Sequence, residues 1–327
     1  NPNLGWEEKK EWDLGLDYSL FNHRLYGKFD YFRRKIDNLL YSVKVPQPPY
    51  TQGEQYQNIG SMESKGWEFE IGGRVIENKE FSWTSNLNMS HTTGKILTLW
   101  GNNTYYNGNG FVAPGTPGDA ARIEEGSTIG SFYIWKHAGF DDEGNFLLYN
   151  KNGEVIPAAE KTENDKQYIG NYTPALILGW TNSFTYKNFD LGINMRSWIN
   201  FDVYNTINMY YGIQGRGNTN VLKEAYGKFN HIKGEKQICD YYLEDGTFLK
   251  IDAITLGYTL NMKKYTNNLV DRIRVYATVG NVCTITGYSG MNPEVDVTGW
   301  DKGTEKFWDK AMYPLARTYT LGMQFNF

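Results

Sequence analysis

Alternation of apolar and polar residues with a period of two is the feature that most constrains the fold of this chain. Between Trp12 and Leu20 every second residue is large and apolar, and the residues between them are Asp, Gly or Ser. The stretch from Tyr319 to Phe327 repeats this pattern. Successive side chains of a β-strand point to opposite faces of a sheet, so each stretch predicts a strand with one apolar and one polar face. The predicted strands span residues 8–21, 25–40, 62–76, 81–96, 174–187, 188–203, 247–261, 271–284 and 315–327.

The length of these strands favours a membrane barrel. They run to about ten residues or more, whereas strands of soluble proteins average about five or six. No window holds the roughly 18 consecutive apolar residues of a spanning helix, but a spanning strand needs only about ten alternating residues. Aromatic residues, 16% of the chain, concentrate near strand ends, as in the girdles of membrane barrels. The chain is therefore predicted to be all-β, a transmembrane antiparallel β-barrel; a soluble β-sandwich is the alternative.

Short and long connections alternate along the predicted strands. Outer-membrane barrels have short periplasmic turns and long extracellular loops. The long connections are therefore predicted to be extracellular loops, and the longest is expected to form hairpins near Phe132–Phe140 and Phe146–Tyr149. These predicted loops span residues 41–61, 97–173, 204–246 and 285–314.

Strand number predicts that the chain is part of a longer barrel. If the last loop is extracellular, the C-terminus is periplasmic, and counting back through nine strands places Asn1 outside the cell. Complete bacterial barrels have an even number of strands. Asn1–Leu4 has neither the basic nor the apolar segment of a signal peptide, which is expected upstream. An isolated nine-stranded sheet would leave two unpaired edges in lipid.

Several short segments occur in the order typical of one transporter family. Together they resemble the SusC-like (SusC/RagA) TonB-dependent outer-membrane transporters of Bacteroidetes, although Ser64 replaces the usual Asn of that family. The segments are Asn1–Glu7, Asn58–Glu68, Gly170–Pro174, Tyr186–Leu191, Asp245–Lys250, Thr255–Leu260, Arg274–Tyr276, Gly280–Val282, Tyr288–Glu294 and Tyr313–Tyr319.

This resemblance implies a plugged barrel of 22 strands in the outer membrane of a Gram-negative bacterium, of which the chain supplies the last nine. The plug, the TonB box and the signal peptide are absent from these 327 residues. The implied partners are a SusD-like surface lipoprotein, the N-terminal barrel and plug portion, the TonB complex and outer-membrane lipid. The implied cargo is an oligosaccharide, or else a peptide. The alternatives are a siderophore or corrinoid receptor, and a soluble β-rich glycan-binding protein or glycosidase.

Aromatic residues in the predicted loops are candidate ligand platforms, because flat rings stack on sugar faces. Packing within the loops, or contact with the lipoprotein, is the alternative explanation. The candidates are Trp100, Tyr105, Tyr106, Tyr133, Trp135, Tyr210, Tyr211, Trp300 and Trp308. A second set, at the C-terminus, resembles the signal read by barrel-assembly machinery. Its residues are Tyr319, Leu321, Met323, Phe325 and Phe327.

The charged and reactive residues indicate no catalytic or metal centre. No P-loop and no G-x-S-x-G sequence is present, so no enzymatic role and no cofactor is predicted. The net charge of −4 gives no reason to expect nucleic acid as a partner. Two questions stay open: Asp296 and Asp301 near Glu294 are either calcium ligands or surface carboxylates, and Cys239 and Cys283 are either bridged or free. The charges predicted to line the lumen, along a cargo path or on a solvated wall, are Asp190, Arg196 and Asp202.

Overall fold

Nine long strands form one antiparallel sheet in the computed structural model, which describes residues 1–100, 105–107, 119–214, 220–267, 269–295 and 314–327. Each strand pairs with the next along the chain, so the sheet is an up-and-down meander. The first and last strands form its two edges. The strands are Glu8–Leu20 (β1), Leu25–Asp37 (β2), Gly60–Glu77 (β3), Phe81–Leu99 (β4), Leu176–Tyr186 (β5), Phe189–Ile199 (β6), Phe248–Asn261 (β7), Arg272–Thr286 (β8) and Thr318–Asn326 (β9).

The register places the alternating residues on two distinct faces. On one face, Leu16, Phe29 and Phe69 lie side by side across β1, β2 and β3. On the other face, Asp30 pairs directly with Glu68. We call these the apolar face and the polar face. The apolar face is uncovered, and Leu321 on it is 85% exposed. A soluble sandwich would bury this face against a second sheet, whereas in a barrel it contacts lipid.

Short turns at one end of the sheet require left-handed backbone. Phe21, Asn22 and His23 between β1 and β2 have φ values of 53°, 54° and 61°. Lys187, between β5 and β6, has a φ of 52°. These tight reversals hold the strand ends close together, so we call this the short-turn end of the sheet and the opposite end the loop end.

The first long loop begins earlier than the alternation predicted. The second strand was predicted to reach residue 40, but β2 ends at Asp37 because Asn38 has a φ of 59°, outside the strand region. The chain then forms a separate hairpin of Leu40–Lys44 with Glu54–Asn58. This hairpin extends the sheet at its loop end.

The second and third long loops fold together into a lobe with its own hydrophobic core. Phe146, Leu148, Tyr204, Met209 and Ile238 are each at most 1% exposed within it. The strands of the loops are Tyr105–Asn107 with Arg122–Glu124, Ser131–Ile134 with Gln167–Asn171, Lys136–Phe140 with Phe146–Tyr149 and Val155–Pro157, and Asp202–Tyr204 with Leu243–Asp245. The helical segments are Thr206–Tyr211, an α-helix, and the 3-10 turns Ala158–Glu160, Glu163–Asp165, Lys223–Tyr226 and Asp240–Tyr242.

Two further observations concern the described residues. Cys239 is buried in the lobe and Cys283 lies on β8, and both are free thiols. None of the helices in the described part of the chain has the length and apolar character needed to cross a membrane.

Candidate functional site

A polar pocket lies at the loop end of the sheet, where the first residues of the chain meet the hairpin after β2 and the end of β4. Its volume is about 520 Å³. The side chains of the eight residues that line it are all uncharged, and seven of these residues are Asn, Gln or Gly. They are Asn1, Asn3, Gly5, Asn38, Gln55, Gln57, Asn58 and Trp100. We call this the amide pocket.

Asn58 holds the amide pocket together. Its side-chain Oδ1 accepts a hydrogen bond from the Gly5 backbone N–H at 2.8 Å, and its Nδ2 donates to the Gly5 carbonyl at 3.0 Å and to the Asn38 carbonyl at 2.8 Å. Glu7 adds a bond, accepting from the Leu40 N–H at 2.7 Å. The side chain of Asn58 therefore fastens the N-terminal segment to the strand ends, and it acts as a positioning residue.

Trp100 supplies the aromatic surface of the pocket. It follows β4 directly, and its backbone N–H donates to the Ile59 carbonyl at 2.7 Å. The preceding N–H, of Leu99, donates to Glu125 at 2.6 Å. These two bonds fix the backbone up to Trp100, while its indole remains 43% exposed. An exposed ring on a fixed backbone is suited to stacking against a ligand.

Amide side chains give the pocket donors and acceptors without charge. Gln57 Nε2 donates to Gln55 Oε1 at 3.2 Å, and Asn1 Nδ2 donates to the Tyr56 carbonyl at 2.9 Å. Each of these amides keeps further hydrogen-bonding capacity, because a primary amide offers two donors and an acceptor with two lone pairs. A neutral polyhydroxylated molecule is the ligand class that this set of groups fits.

Tyr133 and Trp135, predicted as ligand platforms, are instead part of the lobe core. They are 8% and 3% exposed. The ring of Trp135 has the ammonium groups of Lys161 and Lys166 over it at 5.1 and 4.4 Å. The Arg122 guanidinium lies 3.9 Å from the centre of the Tyr133 ring. Neither ring presents a free face to solvent, so the explanation by loop packing fits both residues.

The remaining predicted aromatics lie apart from the amide pocket or outside the described residues. Tyr210 and Tyr211 end the helix Thr206–Tyr211 and are partly buried, with ring centres 6.5 Å apart. Burial raises the pKa of Tyr210 to about 12, so its hydroxyl stays protonated at neutral pH. Tyr105 and Tyr106 belong to a short strand. Trp300 and Trp308 lie outside the described residues, as do Asp296 and Asp301.

Two of the three charges predicted to line the lumen, Asp190 and Arg196, make ion pairs. Asp190 on β6 accepts from both Nε and Nη2 of Arg274 on the polar face. Arg196 contacts Glu294 at 3.0 Å and Asp252 at 3.3 Å. Asp202 lies beyond the end of β6, in the lobe, where its carboxylate accepts from the Asn171 N–H at 2.8 Å. Within the described part of the chain, His, Cys, Asp and Glu form no group of three or more suited to a metal ion.

His137 gives the lobe a titratable group in an apolar setting. Its ring centre lies 4.8, 5.7 and 4.9 Å from those of Phe140, Phe146 and Tyr241. This desolvation lowers the pKa of His137 below its ordinary value of 6.5, although the nearby Asp240 carboxylate acts in the opposite direction. The unfolded chain therefore binds a proton more readily than the folded lobe.

The lobe is accordingly expected to lose stability in acid. The contribution of a histidine with a lowered folded-state pKa is complete above the unfolded value, about 6.5, and declines as the pH falls below it. Amide protection factors across residues 131–149 should be lower at about pH 5 than at about pH 8. H137Q should remove most of this difference. Equal protection at both pH values in the unaltered protein would contradict the assignment.

The C-terminal strand carries the proposed assembly signal on the apolar face. Tyr319, Leu321, Met323 and Phe325 of β9 pair with apolar-face residues of β8, such as Val279 opposite Tyr319. All four aligned side chains are at least 50% exposed, and Phe327 follows the strand with 83% exposure. This arrangement leaves the alternating terminal side chains accessible along the sheet edge.

An antiparallel meander with one uncovered apolar face, one charged face and long loops at one end defines the wall of a membrane β-barrel. Residues 1–282 match the family model described as TonB dependent receptor-like, beta-barrel. The chain belongs to this family, and the alternative of a soluble β-rich protein is therefore wrong.

Similar proteins cover the whole chain but extend well beyond it. TonB-dependent receptor SusC of Bacteroides thetaiotaomicron is 31% identical over 346 residues, which include all of this chain and 32% of the relative. TonB-dependent receptor P3 of Formosa agariphila is 30% identical over 355 residues, which cover 100% of this chain and 35% of that receptor. A solved structure of the RagAB peptide transporter has a TM-score of 0.81 at 23% identity. The match covers 99% of this chain and 36% of the chain in that structure. The chain thus spans about a third of the length of these relatives. The similarity to the RagAB structure shows that the fold is shared.

Proposed function

We propose that the chain forms the final nine strands and part of the extracellular vestibule of an active importer in the outer membrane. In this proposal the loop end faces outward, the short-turn end and the C-terminus face the periplasm, and TonB acts through a plug held elsewhere in the protein. The uncovered apolar face of the sheet carries the proposal, because a barrel wall must present such a face to lipid. The family match of the chain supports the same conclusion.

An oligosaccharide is the cargo class that the amide pocket supports best. The pocket combines the exposed ring of Trp100 with uncharged amide donors and acceptors. Sugars offer a flat apolar face for stacking and hydroxyl groups for hydrogen bonds, whereas a ferric chelate or other charged cargo calls for charged groups. Peptide is the second class implied by the SusC/RagA resemblance. A SusD-like lipoprotein would cover the loop end, and its co-purification with the transporter tests that partnership.

Replacing Trp100 is the direct test of the cargo assignment. In the intact transporter with its lipoprotein, W100A should weaken oligosaccharide binding about tenfold, since an aromatic stack and its buried area contribute roughly 1–2 kcal/mol. Calorimetric titration with a panel of oligosaccharides measures this change. W12A is the matched control, because Trp12 is also exposed but lies on the sheet between Glu11 and Asp13 in β1, away from the pocket.

The same titration separates the cargo classes. Tight binding of peptides, with no measurable binding of any oligosaccharide, would replace the glycan assignment with peptide import. Binding of a ferric or corrinoid chelate would favour the receptor alternative. Oligosaccharide binding that W100A and W12A leave equally unchanged would place the cargo site away from the amide pocket.

A further inference from the structure

A groove crosses the apolar face close to the short-turn end. Its floor is made of two small residues, Gly73 of β3 and Ser85 of β4, which pair directly across the strands. Leu25 pairs with Gly73 on one side. The register of β3 against β4 shifts between Arg74 and Ile76, so the sheet is irregular at this point. The groove has a volume of about 630 Å³.

Two tryptophans form a fixed wall of this groove. Trp180 Nε1 donates to Ser85 Oγ at 2.8 Å, and Trp83 Nε1 donates to Asn182 Oδ1 at 3.0 Å. Trp83 also stacks on Phe184, with ring centres 5.7 Å apart and planes at 19°. Both indole N–H groups are therefore satisfied within the protein, and the rings are held in place beside the floor. The groove is pre-organised, which reduces the ordering required when a ligand binds.

The side chain of Arg24 is the cation of this groove. Arg24, in the turn before β2, is exposed and makes no side-chain hydrogen bond or ion pair with the residues that the structure describes. Arg74 on β3 borders the groove, but it pairs with Thr84 on the polar face, where its guanidinium donates to both carboxylate oxygens of Glu77 at 3.1 Å. The rest of the lining is largely apolar, with Phe21, Ile71 and Leu87 among it. An elongated ligand with an apolar body and an anionic head is complementary to this lining.

We propose that the groove is a binding site for one glycerophospholipid. An acyl chain lies over Gly73 and Ser85 against the tryptophans, and the phosphate is bound by Arg24. Guanidinium groups bind phosphate oxygens through charge-assisted hydrogen bonds, often two at a time. The apolar face is the surface that meets lipid in a barrel wall. In the proposed orientation the short-turn end lies toward the periplasm, where the membrane leaflet consists of glycerophospholipid.

The test uses the intact transporter, extracted in mild detergent and studied by native mass spectrometry during titration with phosphatidylglycerol. One phospholipid should remain bound at activation energies that remove the others. R24Q should weaken its apparent affinity about tenfold, as expected for loss of a charge-assisted contact. S85L should weaken it at least as much, because the added side chain fills the floor. K79Q, a nearby exposed cation outside the groove, and A277L, an added side chain elsewhere on the apolar face, should have no effect.

Two results would overturn the proposal. Retention of the phospholipid to the same extent in R24Q, S85L and the two controls would identify general annular lipid. Retention of lipopolysaccharide in place of phosphatidylglycerol would assign the groove to the other leaflet. Oligosaccharide titration of the same variants is an independent readout, because the amide pocket lies at the opposite end of the strands.

Discussion

Replacing Glu294 with alanine is expected to lower the free energy of unfolding by about 3–5 kcal/mol, the usual cost of removing one partner from a buried ion pair. Glu294 bonds Lys250 at 2.9 Å and Arg196 at 3.0 Å. Lys250 and Arg196 are directly opposite each other on β7 and β6. The side chain of Lys250 is only 3% exposed. Without Glu294, a buried ammonium would face a second cation across the strands.

Thermal unfolding of the refolded barrel, followed by circular dichroism, measures this loss. The matched control is E80A, which removes an ion pair with Lys187 whose side chains are 62% and 55% exposed. An exposed pair contributes about 1 kcal/mol or less, so E80A should leave the midpoint nearly unchanged. If E294A and E80A unfold at the same temperature, the ion pairs of Glu294 with Lys250 and Arg196 contribute no more to the free energy of unfolding than the exposed pair of Glu80 with Lys187.

The second large effect is expected in the lobe. Phe146 is 1% exposed, and its ring lies 4.8 Å from that of Phe140 and 5.8 Å from that of Tyr241. F146A should therefore destabilise the lobe by about 3–5 kcal/mol, the usual cost of truncating a buried phenylalanine. Because the lobe has its own core, the loss should be confined to it.

Hydrogen exchange of the intact transporter distinguishes a local loss from a global one. In F146A, protection should fall across residues 131–172, 201–214 and 220–245 and stay unchanged in β1 to β3. Y226A is the control, since Tyr226 lies in the same lobe but is 70% exposed. An equal loss of protection in the strands of the sheet would mean that lobe and sheet unfold as one unit.

Period-two alternation predicted the strands, and their length, together with the alternation of short and long connections, favoured a membrane barrel over a soluble sandwich. The all-β antiparallel prediction is confirmed by the sheet order and the family match. Strand ends were harder to predict. The break after Asp37 depends on the left-handed backbone of Asn38, which the apolar residues Leu39 and Leu40 that follow do not signal. Local backbone conformation determines that boundary.

The candidate site was only partly accessible to sequence reasoning. Trp100 was selected as a loop aromatic, and the structure places it in the amide pocket. Its amide neighbours were missed, because Asn1, Asn38 and Asn58 are far apart in sequence and are joined only by the strand ends. Gln55 and Gln57 could have been predicted as pocket residues, because they are two residues apart on one short strand and therefore point to the same face. The burial of Trp135 was not predictable from pattern, since a loop core has no regular period.

The separate core of the lobe also has an evolutionary consequence. Its packing depends on residues such as Leu148 and Ile238, and the strand register depends on backbone pairing far from them. Substitutions and insertions on the outer surface of the lobe can therefore accumulate without altering how the strands enter the membrane. The surface of the lobe can diverge between related proteins while the pairing of the strands is inherited unchanged.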